Sequence, residues 1–118
     1  MARIRANNAS GGGGSAINPT YISGSDAGFN NHTFNDLVVG KKYLVLFSQI
    51  SSGLSYNRCD ITAVTTGDAD YTLIGHFWNH NSGASLQQVG SYYLFIPKTT
   101  SVKVTHNGTC GYDLIQLD

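Results

Sequence analysis

The sequence predicts an all-β chain: a single antiparallel β-sandwich or jelly roll of about eight strands behind a flexible, glycine-rich N-terminal arm. Three observations carry that expectation. All seven acidic residues are Asp, and the chain is rich in Thr, Tyr, Asn and Gly, which is poor material for helices. Several windows alternate apolar and polar residues at the two-residue period of half-buried strands. Turn-forming residues punctuate those windows at a spacing of roughly ten residues, the pattern of a sandwich. At 118 residues there is room for one domain with a real core.

Residues 1–16 are read as the arm and residues 17–118 as the β domain. Within MARIRANNASGGGGS, Ile4 is the one large aliphatic residue besides the methionine, and four consecutive glycines follow. Such a segment buries too little apolar surface to offset its ordering entropy by itself. Arg3 and Arg5 precede the first acid, Asp26, so the arm is basic, while the rest holds five bases against seven acids. Arg3, Ile4 and Arg5 are therefore the candidate docking residues.

A first strand is expected around Ile17, Tyr21 and Ile22, then a loop over residues 24–28, then a short strand at residues 33–37. The stretch KKYLVLFSQIS, residues 41–51, is apolar on both faces, with Tyr43, Val45 and Phe47 on one and Leu44, Leu46 and Ile50 on the other. A strand of that kind needs cover on both sides. A second subunit supplies it in one reading and a long loop in the other. Residues 58–65 alternate as an ordinary half-buried strand, and Gly67 to Asp70 make a turn. On the next strand Tyr71, Leu73, Gly75 and Phe77 are expected to share a face. Residues 79–85 form a polar loop.

The C-terminal stretch YYLFIPKTTSVKVTHNGTCGYDLIQLD reads as three consecutive strands. Pro97 ends the first, and Val102 and Val104 alternate along the second. Asn107-Gly108 supplies the positive-φ residues of a tight turn into the third. Tyr43, Phe47, Tyr92 and Phe95 are the candidate subunit-interface residues.

Charge and hydropathy exclude several roles. The balance of Lys and Arg against Asp gives no clustered positive charge for nucleic acid. No run of about 18 apolar residues spans a membrane as a helix, and no apolar core of a secretory signal is visible. Cys59 and Cys110 could pair, but two cysteines on two strands of a cytosolically made protein are expected as free, buried thiols.

Catalysis is not expected. There is no GxSxG elbow, the glycine run lacks the Lys-Ser/Thr of a phosphate loop, and the carboxylates are scattered. His76-Phe77-Trp78-Asn79-His80 is the one local cluster of ligand-type side chains. On an extended strand His76 and His80 stand about 13 Å apart, too far to share a metal, so no metal or other cofactor is expected. Trp78, with His76, Asn79 and His80, is the candidate glycan-stacking platform. Burial of the Trp side chain is the competing reading.

The order of MARIRANNAS, a glycine run, VGKKYLVLFS and the terminal YYLFIPKTTSVKVTHNGTCGYDLIQL resembles small virion proteins of tailed bacteriophages. More loosely, it is similar to compact jelly-roll heads of the C1q and tumour-necrosis-factor type. The resemblance implies a structural protein of the capsid or tail surface, of decoration, fibre-head or tail-accessory type. It also implies a homo-oligomer, a trimer by preference, docked through its arm to other virion proteins. A host-surface glycan is the alternative partner.

Overall fold

In the computed structural model of the chain the described residues are 18–49, 59–80 and 87–118. They form six strands: β1 (Thr20–Phe34), β2 (Tyr43–Gln49), β3 (Ile61–Thr66), β4 (Ala69–His80), β5 (Gln87–Pro97) and β6 (Val102–Gln116). No helix occurs among the described residues, and every strand pairing is antiparallel. The hydrogen-bonded order is β1-β6-β2-β5-β4, with β3 also paired to β6.

The architecture turns on β6. One of its edges is taken along its length by β1, from Phe34 opposite Val102 to Thr20 opposite Gln116. The other edge is divided. β3 pairs with Lys103 to His106, and β2 pairs with Cys110 to Gln116. Between those spans lie Asn107 and Gly108, the latter with φ 67°. The register against β1 jumps there, with Thr109 opposite Phe29 but Thr105 opposite Asn31. Asn107-Gly108 therefore marks a bulge inside one long strand, where the expectation was a turn between two. The positive-φ residue lets the strand bend and change neighbours.

β1 makes the same bend from its side. Its Gly28 and Asn30 have φ 75° and 73°, and its register shifts around them. Residues 24–28, expected as a loop, are part of this continuous strand. The single hydrogen-bonded network thus folds over into a sandwich. β3 with the first part of β6 and the end of β1 makes one layer, and β4, β5, β2 and the rest of β6 and β1 make the other.

The core lies between the layers. β2 alternates buried Tyr43, Val45, Phe47 and Gln49 with half-buried Leu44, Leu46 and Ser48. Phe34, Val102, Val104 and His106 meet Phe47, Tyr93 and Phe95 from the opposite side, all within one buried cluster or stacked on it. The Phe34 ring centre is 5.7 Å from that of Phe95 and 6.2 Å from that of Phe47. Burial of each such side chain contributes about 1.5–3 kcal/mol.

Cys59 and Cys110 are buried as expected but joined in a disulfide, with Cα atoms 6.0 Å apart. That corrects the free-thiol expectation. The residue spacing in the chain gave no hint, because the β6 bend is what brings Cys110 to Cys59. The segment after Cys59 is held at several points. Ser91 Oγ donates to the Cys59 carbonyl, the Ile61 amide donates to the Tyr93 hydroxyl at 2.8 Å, and the Asn107 amide donates to the Asp60 carbonyl at 3.0 Å. These contacts keep Cys59 at φ 56°, a left-handed conformation costly for a residue with a Cβ.

Candidate functional site: the outer face of the larger layer

Alternation along β2 and β5 places one set of side chains in the core and the other on the outer surface of the larger layer. Reading across the registers builds that surface row by row. Leu44 lies between Leu94 and Ile115, with Thr72 beyond Leu94 and Tyr21 beyond Ile115. Leu46 lies between Tyr92 and Asp113, flanked by Gly75 and Gly24. Ser48 lies between Gly90 and Gly111, flanked by Phe77 and Asp26. Leu44, Leu46, Tyr92, Leu94, Ile96 and Ile115 are all half-buried, and none is charged.

Aromatic rings lie down on this floor where glycines leave room. A Cβ at Gly75 would stand 2.8 Å from the Tyr92 hydroxyl. At Gly90 a Cβ would run into the Phe77 ring and the Phe47 carbonyl. Such rings over cross-strand glycines restore the apolar contact that the missing side chain removes. The two outermost strands each carry an extra residue in the ladder, Ile22 on β1 and Ile74 on β4. Both are well exposed.

The bulge at Ile74 corrects the facial assignment of β4. Tyr71 and Leu73 pair with Phe95 and Tyr93, but past the bulge it is His76 that pairs with Ser91, a residue of that same buried set. Gly75 and Phe77 consequently fall with Thr72 on the outer side. A strict two-residue alternation does not reveal an inserted residue.

Of the expected subunit-interface residues, Tyr43, Phe47 and Phe95 lie in the core of the single chain, at most 2% exposed. The Tyr43 hydroxyl accepts the Val38 amide at 2.9 Å. Tyr92 alone of the four belongs to the outer face. The sequence distinguished the two faces of β2 correctly, but the aromatic face turned inward and the leucine face outward.

His76, expected near a glycan platform, is engaged by Asp60 with Nε2 to Oδ1 at 2.9 Å. The side chains of Trp78, Asn79 and His80, and the arm residues Arg3, Ile4 and Arg5, lie outside the described part of the structure. Asp70 pairs with Lys98 at 3.3 Å, and Asp68 closes the turn by accepting the Lys98 amide at 2.8 Å. Among the described residues no three His, Cys, Asp or Glu side chains gather closely enough to hold a metal.

The one carboxylate set into the central rows is Asp113. It accepts a hydrogen bond from the Tyr21 hydroxyl at 3.0 Å. That bond, followed by desolvation, holds the Tyr21 phenol above its ordinary pKa. Compared with known families, characterised proteins and solved structures, the chain has no significant match.

Proposed function

We propose that the chain is a structural virion protein of a tailed bacteriophage, a homo-oligomer whose sandwich head self-associates through its outer face and whose arm docks on the particle. The observation that carries the oligomer is the uncharged apolar surface of Leu44, Leu46, Tyr92, Leu94, Ile96 and Ile115. Three rows on four strands cover roughly 400 Å² at ordinary strand spacing. That area is in the range of the largest apolar patch on a typical monomer, about 300–600 Å², which is often functional. A second copy is the fitting occupant, because the leucine, isoleucine and tyrosine side chains of the patch carry no charge, and the one carboxylate set among them, Asp113, is hydrogen-bonded by Tyr21.

The virion assignment is supported by the resemblance of the arm and terminal strands to phage virion proteins and by the Cys59–Cys110 disulfide. A disulfide persists where the surroundings are oxidising, as on a particle outside its host. In this reading Arg3, Ile4 and Arg5 contact a capsid or tail protein, the glycines give reach, and a trimer is the favoured state. The protein is then a binding component and not an enzyme.

The test is incorporation. Particles assembled with a chain lacking residues 1–16 should lose the protein from the purified virion, while the truncated chain keeps its fold by circular dichroism. Unchanged incorporation would remove arm docking from the account.

A further inference from the structure

We propose that Tyr21 and Asp113 form a binding subsite for a neutral pyranose at the β1 side of the outer face, independent of the virion reading. The Tyr21 side chain is 61% exposed, yet it is tethered. Its hydroxyl donates to Asp113 Oδ1 at 3.0 Å across the β1–β6 pairing. Gly24, opposite Asp113, makes this possible. A Cβ there would collide with the Tyr21 hydroxyl and stand 2.5 Å from Asp113 Oδ1 and 2.9 Å from the Tyr112 carbonyl.

The consequence is an aromatic side chain held in one place without being buried. Pre-organisation of this kind removes the ordering cost of a flexible surface tyrosine on binding. The two groups match the two surfaces of a sugar. The apolar C–H face of a pyranose packs on an aromatic ring, whose negative π face attracts the weakly positive hydrogens. Asp113, also exposed, accepts from the Tyr21 hydroxyl through Oδ1, leaving Oδ2 to accept from ligand hydroxyls. Charge-assisted acceptance by a carboxylate is about twice as strong as a neutral hydrogen bond.

Chemistry also sets the exclusion. Asp113 has no cation bonded to it among the described residues, so a uronate or sialate would bring a second negative charge against it. The subsite therefore selects neutral over acidic saccharides. One ring and one carboxylate give weak binding per copy, and because Asp113 neighbours Leu46 on the face proposed for self-association, a saccharide and a second copy compete for it. Ile22, exposed beside Tyr21 at the strand bulge, adds apolar surface at the same edge.

The experiment is an amide NMR titration of the full chain with the methyl glycosides of glucose, galactose and N-acetylglucosamine, and with methyl glucuronide. Saturable shifts confined to Tyr21, Gly24 and Asp113 with at least one neutral glycoside are expected, with methyl glucuronide at least tenfold weaker. Tyr21→Ala should abolish the shifts while core amides stay in place. Asp113→Asn should weaken the neutral sugar by about tenfold and narrow the gap to the glucuronide. Absence of saturable shifts with every neutral glycoside at molar excess would overturn the proposal, as would binding unaffected by Tyr21→Ala. A variant impaired in self-association, Leu94→Lys, should still bind, so loss of the oligomer and loss of the subsite read out separately.

Discussion

His32 and His106 lie where β1 and β6 bend together, and His32 couples the core to pH. The His106 ring is 2% exposed and stacks on Phe47 with ring centres 5.2 Å apart. Its Nε2 is 3.4 Å from the Ala27 carbonyl, and its Nδ1 is buried with no hydrogen-bond partner. His32 packs against Tyr112 and Phe34, at 4.3 and 4.7 Å between ring centres. Burial, then the proximity of His106, lowers the His32 pKa below its ordinary value of 6.5. The unfolded chain therefore binds a proton at His32 more readily than the folded one. Stability from this group is fully present above about pH 6.5 and is lost as the pH falls below that value towards the folded pKa. Thermal unfolding followed by circular dichroism should give a midpoint that drops on acidification through this window. His32→Phe, which keeps the ring contacts, should flatten the drop, and an equal slope in that variant would remove His32 as its cause.

At the scale of elements, β6 and its partners are what the chain is built around. The disulfide anchors the end of the bend to the start of β3, and closing a loop between residues separated by 51 positions contributes about 4 kcal/mol in the chain-entropy description. Paired Cys59→Ser and Cys110→Ser substitutions should lower the unfolding free energy by a corresponding amount and raise the urea slope, because the unfolded chain without the cross-link exposes more surface. A loss well under 1 kcal/mol would mean that Ser91, Tyr93 and Asn107 hold residues 59–61 without it. The β class, and the buried alternation of Tyr43 to Gln49 and of Tyr93 and Phe95, were legible in the sequence because period two survives wherever strands are regular. What was not legible were the irregularities. Asn107-Gly108 and the glycines of residues 24–28 have the composition of turns and loops, yet they serve as bulges in strands of fifteen residues. Ile74 shifts the phase of β4 without any compositional mark. The candidate site suffered from the same ambiguity, since either face of YLVLF fits a core and only packing against Phe34, Val104 and His106 decides between them.

The whole molecule presents a closed core on one side of its larger layer and a half-buried apolar surface on the other. The account stands or falls on what covers that surface. If a second copy does, the leucine and isoleucine side chains of the patch supply the contact, Asp113 is the one carboxylate in its central rows, and one lysine at its centre is a strong disruption. Leu94 sits beside Leu44 on the neighbouring strand and points outward with it, so Leu94→Lys tests the surface without touching the core. Multi-angle light scattering after size exclusion gives the mass directly. The account predicts that the parent elutes as a multiple of the 12.6 kDa chain, three copies by preference, and that Leu94→Lys elutes as a folded single chain. A parent that runs as a 12.6 kDa monomer at micromolar concentration, or a Leu94→Lys variant with unchanged mass, would contradict it.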